Sequence, residues 1–582
     1  YINNKGSDYV IWKQNKEVTN EDVQSLAKEL NVNDLLVRIF LNRINDKNQA
    51  RIALKDFHEA VLPPSELVNG QAVADVITKH IKANSLIFIH ADYDVDGLNS
   101  GTIMGNALKE LVQIVGSKAI VSTYFPERVN GYGLSFFFAE EIIKLKQEST
   151  DDRDILVITV DNGIAQIEQI QLLIDNGIEV VVTDHHQSMA VVPNCLICNP
   201  HNGHVVQSKT YHHLCGAGVT FKVCELVQQN FGFHDMYKYV PYVAIATITD
   251  VMPLNLENMA FMKYGLDIIN SDLCPIGIKA IKDFLGIKVV NSQHIAWEIG
   301  PRLNACGRMG KTSIGGRLLS TNSIEEAEEL VNELESLNDL RKEYTDKATK
   351  KIQKMNFDND MFCVIKLEDI PEGIVGILAG RAVEFFGKPS IVVAEHNGIC
   401  SGSARSIPGL DLHQLFNIQL HEGNIIKYGG HSEAAGIAFE ASKLQSLQLG
   451  LNRILTEAVQ EMINSSEEPL QQEPILLIDE CIQIQHLNEY TFNLINALPY
   501  DKNTFAKPTF ALVDCEVEDF TPTKSKPENL WLTIKQGRQK IKLWCQGMTE
   551  IYKTNGCPKY IHLAGYIEKN FMMGRPYTFK VI

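Results

Sequence analysis

The sequence predicts an α/β protein in which a parallel-sheet unit is joined through a long helix to a second α/β unit and a C-terminal β-barrel. Short apolar runs alternate with helix-length stretches in the first half of the chain, which is the pattern of a βαβ sheet. A polar stretch without glycine or proline follows, and the last hundred residues hold mostly strand-like segments. We therefore expect five parts, with bounds at residues 1–62, 63–320, 321–357, 358–465 and 466–582.

The first part, residues 1–62, is predicted to be helical. The stretch Asn20–Leu30 carries Glu21 and Asp22 in its first turn, where acidic side chains stabilise a helix. The Leu62-Pro63-Pro64 run then marks a boundary, because proline interrupts regular helices.

Three strands are predicted in the second part, and each is followed by side chains that can bind a metal. Apolar runs at 86–89, 155–160 and 178–183 are separated by helix-length stretches, and a fourth apolar segment covers 242–249. In parallel sheets, ligands gather outside the carboxyl ends of the strands. The polar residues that follow the four segments are His90, Asp92, Asp94 and Asp96, then Asp161, then Asp184, His185 and His186, and finally Asp250.

This concentration of carboxylates predicts a site for two divalent cations. Like charges at such density are unfavourable unless positive charge lies among them. Oxygen ligands with an imidazole suit Mg²⁺ or Mn²⁺ better than zinc. The alternative is an acidic surface turn, since aspartate is also favoured before helices. Because side chains that can bind a metal follow four separate apolar segments, the metal site is the favoured interpretation.

The middle of the chain predicts a connector helix and the second α/β unit. Residues 323–355 have apolar side chains at a spacing of three to four, so we expect an amphipathic helix that joins two domains. The next predicted elements are strands at 361–365 and 390–394, a helix at 375–386, a loop that opens with Gly402-Ser403-Ala404-Arg405, and a strand at 435–439 after Gly429-Gly430-His431.

The C-terminal part predicts an OB-like barrel, a fold that commonly binds single strands. After a linker at 465–468, its candidate strands lie at 509–513, 529–535, 540–544, 560–567 and 577–582. Trp531, Trp544 and Phe571 are either stacking platforms for bases or core residues. The cations near them are Lys535, Arg538, Lys540 and Lys542.

The motifs together resemble those of the DHH phosphoesterase superfamily. Residues 92–97, 160–163 and 184–186 read Asp-Tyr-Asp-Val-Asp-Gly, Val-Asp-Asn-Gly and Asp-His-His, which are similar to its first three motifs, and 249–254 resembles the fourth. Within the superfamily, Ile299–Gly310 is similar to a signature of the RecJ family of bacterial single-strand-specific 5′→3′ exonucleases. Gly402–Gly409 and Gly429–His431 resemble blocks of the DHHA1 domain of that family.

The resemblance implies a role for each candidate residue. One metal ion would be held by His90, Asp94 and Asp161, and the other by Asp96, Asp161, His185 and Asp250. Asp92 and His186 would act in catalysis or support the ligands, Asp184 would orient the histidine pair, and His431 would contact the scissile phosphate. The substrate backbone and its 5′ end would be bound by Arg128, Arg302, Arg308, Ser403 and Arg405.

Three positions depart from the family pattern. Thr249 stands where the resemblance predicts alanine, and Glu372 stands where histidine is common. The stretch 498–503 matches the family's proline- and glycine-rich turn only loosely, which leaves the closure of the barrel over a strand open.

The implied activity is a two-metal 5′→3′ exonuclease that hydrolyses single-stranded DNA to mononucleotides in recombination and repair. Single-stranded DNA is the expected partner, with a helicase and a single-strand DNA-binding protein beside it. A phosphodiesterase for short oligonucleotides or cyclic dinucleotides is the alternative, although such substrates need no barrel. A non-catalytic scaffold is disfavoured, because a scaffold has no chemical reason to keep the ligands together.

Composition limits these interpretations further. The formal net charge of −17 argues against tight non-specific DNA binding, so any cations must be locally concentrated. Twelve cysteines are too few for a disulfide framework, and Cys195 and Cys198 fit buried thiols better than a zinc site. No apolar run is long enough to span a membrane and no leader opens the chain, so we expect a cytoplasmic protein without membrane contact.

Overall fold

The computed structural model describes residues 11–13, 18–44, 46–55, 57–149, 152–188, 191–201, 213–464, 475–496, 498, 500, 505–569 and 576–582. The predicted linker at 465–468 and Phe571 lie outside these residues. No helix of the described part is long and apolar enough to cross a membrane.

The N-terminal part is helical, as predicted, after one short strand. Thr19 caps the first helix by accepting a hydrogen bond from the Asp22 backbone N–H, and that helix covers the predicted residues. The elements are β1 (Ile11–Lys13), α1 (Asn20–Leu30), α2 (Asp34–Arg43) and α3 (Lys47–Lys55).

The next unit, which we call the parallel-sheet unit, has five parallel strands in the order β3-β2-β4-β5-β6. Its central strand β4 is buried at every residue, as expected when helices cover both faces. Its elements are α4 (Gly70–Lys82), β2 (Leu86–His90), α5 (Val95–Ile114), β3 (Ile120–Tyr124), α6 (Phe136–Glu148), β4 (Ile155–Val160), α7 (Ile167–Asp175), β5 (Glu179–Thr183), β6 (Leu196–Cys198), α8 (Gly216–Gln229), α9 (Val240–Thr249), α10 (Leu256–Ile269), α11 (Ile276–Phe284), α12 (Ser292–His294), a π-helical turn (Ile295–Ile299), α13 (Gly300–Arg308) and α14 (Thr312–Ser320).

Two features of this unit differ from the sequence prediction. The edge strands β3 and β6 were not predicted. Strand β3 mixes apolar and hydroxyl side chains and buries only one of its five residues, and β6 has only three residues. The fourth apolar segment, which was expected only to carry Asp250 at its end, forms helix α9, so Asp250 follows a helix and not a strand. Helix α9 is buried almost throughout, and periodicity cannot separate a fully buried helix from a buried strand.

A single long helix, α15 (Ile324–Ile352), forms the predicted connector. Ser323 caps it by accepting a hydrogen bond from the Glu326 backbone N–H. The helix packs on α11, α13 and α14 of the parallel-sheet unit and on α16 of the next unit. It therefore contacts both units that it joins.

The second α/β unit has a five-stranded mixed sheet in the order β10-β11-β9-β8-β7. The predicted loop at Gly402–Arg405 is wrong, because these residues are part of β9 and pair with both β8 and β11. A Cβ on Gly402 would lie 2.0 Å from the Val392 carbonyl oxygen, so the glycine reflects close strand packing rather than a loop. The elements are β7 (Cys363–Leu367), α16 (Val375–Phe386), β8 (Ser390–His396), β9 (Ile399–Arg405), α17 (Leu412–His421), β10 (Lys427–Gly430), β11 (Ala434–Glu440) and α18 (Leu444–Asn464).

The C-terminal part forms the predicted OB-like barrel. Its antiparallel strands run in the order β16-β15-β14-β17-β18, and β16 also contacts β18, so the sheet nearly closes on itself. A helix between the third and fourth of these strands along the chain completes the OB pattern. The elements are β12 (Ile475–Leu477), β13 (Glu480–Ile482), α19 (Glu489–Asn496), β14 (Phe510–Pro522), β15 (Leu530–Gln536), β16 (Gln539–Cys545), α20 (Met548–Thr554), β17 (Tyr560–Lys569) and β18 (Tyr577–Val581).

The N-terminal helices and the barrel pack against each other. Strand β1 pairs in parallel with β12, and the Arg43 guanidinium donates hydrogen bonds of 3.0 and 2.6 Å to the Asp479 carboxylate. The Phe40 and Phe505 rings lie 5.2 Å apart. One continuous apolar core therefore includes side chains from the N-terminal helices, the parallel-sheet unit and the barrel.

Candidate metal centre and phosphate-binding cluster

Strand ends and helix starts place the acidic residues at one edge of the parallel sheet. His90 is the last residue of β2, Asp161 follows β4, and Asp250 follows α9. Asp94 caps α5 by accepting a hydrogen bond of 3.1 Å from the Gly97 backbone N–H. The Asp96 carboxylate accepts the backbone N–H groups that open α8, from Gly216 at 2.7 Å and Ala217 at 2.8 Å. The helix starts therefore orient the carboxylates.

Three of the predicted carboxylate ligands converge on the ring of a fourth predicted ligand, His185. His185 Nε2 lies 3.2 Å from Asp161 Oδ1, 3.5 Å from Asp96 Oδ2 and 3.6 Å from Asp250 Oδ2. This is the set that the family resemblance implies for one of the two ions. Asp250 reaches it from the end of a helix, not of a strand.

A second group shares Asp161 but has a different third member from the one predicted. Asp92, Asp94 and Asp161 each offer an oxygen within 4.8 Å of the others, whereas His90 is not in this group. His90 is fully buried against the Tyr124 and Phe138 rings. Asp161 belongs to both groups, as expected of a bridging ligand.

Two properties of the acidic cluster suit it to divalent cations: the raised pKa values of its carboxyl groups, and buried polar atoms that lack hydrogen-bond partners. Burial and the charge of Asp94 raise the pKa of the Asp96 carboxyl to about 7, and burial with neighbouring carboxylates raises the pKa of Asp161 and Asp250 well above the usual range. Among the described residues, both ring nitrogens of His90 and Oδ1 of Asp92 are buried without a hydrogen-bond partner. Bound cations would neutralise the repulsion among the carboxylates and would also give the unpaired atoms a partner.

A network around Asp184 fixes the position of the histidine pair. The Asp184 carboxylate accepts hydrogen bonds from the backbone N–H groups of His185 and His186, at 2.7 and 3.1 Å, and lies 2.8 Å from His186 Nδ1. Burial opposes the charged form of His186, but this bond and nearby carboxylates raise its pKa to about 9. The Asp184 carboxylate thus favours the charged form of His186.

Tyr132 is a site residue that the sequence analysis did not select. Its hydroxyl lies 3.1 Å from His186 Nε2, and its ring packs edge-on against Tyr93. The sequence signal for this residue is its place between Gly131 and Gly133, four residues after Arg128.

Three of the predicted substrate-binding arginines lie on the metal side of the molecule. The Arg128 guanidinium stacks 4.1 Å above the Tyr93 ring, and the Arg405 Nη1 donates to Ser403 Oγ at 2.8 Å. Burial and the charges of Arg128, Arg341 and Arg405 lower the pKa of Arg308 to about 10, while Asp94 acts in the opposite direction. Within the described residues, no carboxylate lies at ion-pair distance from any arginine of this cluster, which consists of Arg128, Arg308, Arg341 and Arg405. Such a cluster is suited to an anion.

Two predicted contacts are placed elsewhere. Arg302 is engaged by Glu335 of the connector helix, at 2.6 and 3.2 Å, and by the Glu298 carbonyl at 2.9 Å. His431 lies in the exposed turn between β10 and β11, where its backbone N–H donates to the Ala434 carbonyl at 2.8 Å. Neither side chain belongs to the metal groups. No cysteine does so either in the described part of the chain, and burial raises the pKa of the Cys195 thiol to about 12.

A cavity of about 810 Å³ adjoins the arginine cluster at Arg308. Its walls come from α9, the π-helical turn, α13, the connector helix, the second α/β unit and the barrel. Trp297 on the π-helical turn is 66% exposed and lines this cavity. The barrel contributes Tyr500, Lys507, Tyr566, Glu568 and Lys580.

Family models and known proteins match most of the chain. The model of the DHH family N-terminal domain matches residues 86–247, and the DHHA1 domain model matches residues 359–457. The chain is 28% identical over 495 residues to the single-stranded-DNA-specific exonuclease RecJ of Bacillus subtilis, covering 82% of this chain and 60% of that protein. The corresponding protein of Haemophilus influenzae is 29% identical over 481 residues, 78% of this chain and 79% of that one. The chain thus spans less than two thirds of the first of these relatives.

Solved structures support the same likeness. RecJ from Thermus thermophilus in complex with Mn²⁺ has a TM-score of 0.77 at 22% identity, covering 98% of this chain and 79% of that one, so the two share a fold. A structure of exonuclease RecJ bound to manganese has a TM-score of 0.57 at 28% identity, covering 68% of this chain and 95% of that one.

Proposed function

The chain belongs to the RecJ family of DHH phosphoesterases, and we propose that it is a metal-dependent exonuclease acting on single-stranded DNA. The observation that carries the proposal is a cluster of candidate metal-binding groups connected through Asp161 and His185. It lies beside arginines that have no ion-pair partner among the residues described. Carboxylates at this spacing bind cations, and the arginines suit the phosphates of the substrate. The large cavity next to them has room for a polymer.

The residues present can hold two Mn²⁺ or Mg²⁺ ions. We assign Asp96, Asp161, His185 and Asp250 to one ion, and Asp94 and Asp161 to the other with His90 or Asp92. When bound, two such ions lower the pKa of a water and neutralise charge on the phosphate. Asp184 and Tyr132 hold the His186 ring from its two nitrogens, which fixes the orientation of the ring beside the metal-binding residues.

Polarity is a finer part of the proposal. Arg128, Arg308, Ser403 and Arg405 are assigned to a terminal 5′-phosphate, which would make degradation run 5′→3′. Arg302 and His431 remain candidates for contacts to the strand, although Glu335 competes for Arg302. The same proposal includes the five-part division of the chain and a cytoplasmic location. It also includes a role in recombination and repair, beside a helicase and a single-strand DNA-binding protein.

Three substrates test the proposed function directly. The protein is incubated with Mn²⁺ and a 5′-labelled long single strand, a linear dinucleotide or a cyclic dinucleotide. We expect mononucleotide release from the long strand and little hydrolysis of the cyclic compound. Preference for either dinucleotide would favour the small-substrate phosphodiesterase, and no hydrolysis of any substrate would favour a scaffold. Label appearing as a mononucleotide at the earliest times establishes the 5′ end as the start.

A further inference from the structure

Arg341, midway along the connector helix, forms part of the wall of the 810 Å³ cavity. Its Nη2 donates a hydrogen bond of 2.9 Å to the Asn338 side-chain oxygen. Its Nε is buried and has no hydrogen-bond partner among the residues described. A guanidinium with an unsatisfied buried N–H beside an open cavity is unfavourable unless a ligand accepts that hydrogen.

Arg341 differs from the other arginines near this face of the helix. Arg302 is paired with Glu335, and Arg381 is paired with Asp346 at 3.1 Å. Within the described part of the chain, Arg341 has no carboxylate at ion-pair distance. Its positive charge is therefore available to an anion in the cavity.

The part of the cavity lining that comes from the barrel is also cationic. Lys507 and Lys580 of the barrel share one carboxylate, Glu568, at 3.2 and 3.7 Å. With Arg308 and Arg341, the lining carries four cations and one anion, although the whole chain has a formal charge of −17. This local excess of positive charge complements a phosphodiester backbone.

We propose that Arg341 binds an internal phosphate of the single strand, so that the connector helix is a substrate-binding element as well as a link. The inference rests on the proposed exonuclease function. It assigns Arg341 to the body of the strand, in contrast to Arg405 at the 5′ end. Arg341 thus affects long substrates and leaves the preference for a 5′-phosphate unchanged.

The test compares Arg341→Gln with Lys342→Gln in the full-length protein. Lys342 is the next residue of the same helix, carries the same charge, is exposed and does not line the cavity. For Arg341→Gln we expect KM on a long strand to rise about tenfold, with kcat on a dinucleotide within about twofold of wild type. The salt slope of strand binding should flatten by roughly 0.7, because one phosphate contact is lost. For Lys342→Gln neither quantity should change.

Arg341→Lys keeps the test valid if the glutamine variant does not fold. The lysine variant should retain the wild-type salt slope and show a smaller rise in KM, since it keeps the charge but loses the planar fork. Equal behaviour of Arg341→Gln and Lys342→Gln overturns the inference, as does an equal loss on the dinucleotide and the long strand. Failure of the wild-type protein to degrade any single strand in Mn²⁺ would instead overturn the proposed function.

Discussion

Asp161 links the two carboxylate groups through one side chain. Its backbone has φ of +61°, a left-handed conformation that aspartate and asparagine tolerate better than most residues. The side chain also packs against Gly216 at the start of α8, where a Cβ would lie 2.4 Å from Asp161 Oδ1. Its position and backbone conformation thus allow the Asp161 carboxylate to act as a ligand in both metal-binding groups.

Asp161→Asn should abolish hydrolysis while the protein stays folded. Asparagine keeps the shape and tolerates the positive φ, but it removes the shared negative charge. We expect the rate on single-stranded DNA in Mn²⁺ to fall on the order of 10³-fold or more. In EDTA the melting temperature should equal or exceed that of wild type, because the repulsion among buried carboxylates is weaker.

Manganese titration provides the control for this variant. Wild-type protein should gain about 2.7 kcal/mol of stability at a hundred times the Kd, and Asp161→Asn should gain clearly less. Asp175→Asn, at the exposed end of α7, should behave as wild type. Near wild-type hydrolysis by Asp161→Asn would refute the shared-ligand assignment.

Arg405→Ala should discriminate between the two kinds of 5′ end. Ser403 tethers the Arg405 guanidinium at 2.8 Å, so its remaining N–H groups can meet a phosphate. Two charge-assisted hydrogen bonds of about 1.5–3 kcal/mol each would be lost. Cleavage of 5′-phosphorylated strands should slow by about ten- to a few-hundred-fold, and cleavage of 5′-hydroxyl strands much less. Equal losses on both substrates would make Arg405 a general backbone contact.

At the scale of elements, the end of α13 is wedged between the metal-binding segment and the second α/β unit. A Cβ on Gly307 would lie 2.2 Å from the Tyr93 carbonyl oxygen, and a Cβ on Gly373 would lie 2.2 Å from the Arg308 carbonyl oxygen. The Arg308 guanidinium also donates to the Gly373 carbonyl at 2.8 Å. The two glycines therefore allow three backbones to approach closely beside the acidic cluster.

Gly307→Ala should displace the segment that carries Asp92 and Asp94. We expect a loss of about 1–3 kcal/mol in unfolding free energy from overpacking, and a fall in activity of roughly 10²-fold because a ligand segment moves. Gly380→Ala is the matched control: Gly380 lies in helix α16 with open space around its Cβ position. It should gain about 0.5–1 kcal/mol and keep full activity. If both variants behave alike, the wedge has no structural role.

The sequence was most informative where apolar pattern and capping agree. Asn20–Leu30, Val375–Phe386 and the long connector were predictable because their periodicity or capping is strong. Helix α9 and strand β9 were not, since a fully buried helix has no polar face and small residues in a tightly packed strand look like a loop. Such elements are specified by their neighbours in space.

Within the site, the motifs indicated the ligand types and the set around His185, but not the membership of the second group. The set around His185 is the one that motif resemblance implies, whereas the second group contains Asp92 where His90 was expected. The His90 ring packs against Tyr124 and Phe138, and residue spacing along the chain does not specify these contacts. Tyr132, Arg341 and the competition of Glu335 for Arg302 depend on contacts between distant segments.

At the scale of the whole molecule, the barrel is fastened to the N-terminal helices. Asp479 accepts two bonds from Arg43 and also accepts the Thr509 backbone N–H at 2.8 Å, and Arg38 pairs with Glu480. Removing the barrel would expose the buried faces of these helices as well as the cavity. Single-residue charge changes are therefore the better test of what the barrel contributes.

The barrel has two faces with candidate cations for strand binding. On the outer surface of β15 and β16, Trp531 and Trp544 are directly paired and Lys542 lies 5.4 Å from the Trp531 ring. Nearby Lys540 and Lys535 face Glu518, which reduces the positive charge of this surface. On the other side, Lys507 and Lys580 face the cavity that begins at Arg308. The cavity lining includes Arg308 and the two residues that flank Asp250, Thr249 and Val251, so we expect this side of the barrel to hold the strand during hydrolysis.

Two double variants separate these faces. Lys507→Gln with Lys580→Gln should flatten the salt slope of single-strand binding by roughly 1.4, the effect of two lost phosphate contacts, and should raise KM for long strands. Lys540→Gln with Lys542→Gln removes the same charge from the outer face and should change the slope little. Both variants keep the contacts with the N-terminal helices, so melting temperatures near that of wild type are expected. The reverse order of effects would place the strand on the tryptophan-bearing outer face, with the cavity side acting only as packing between the barrel and the catalytic unit.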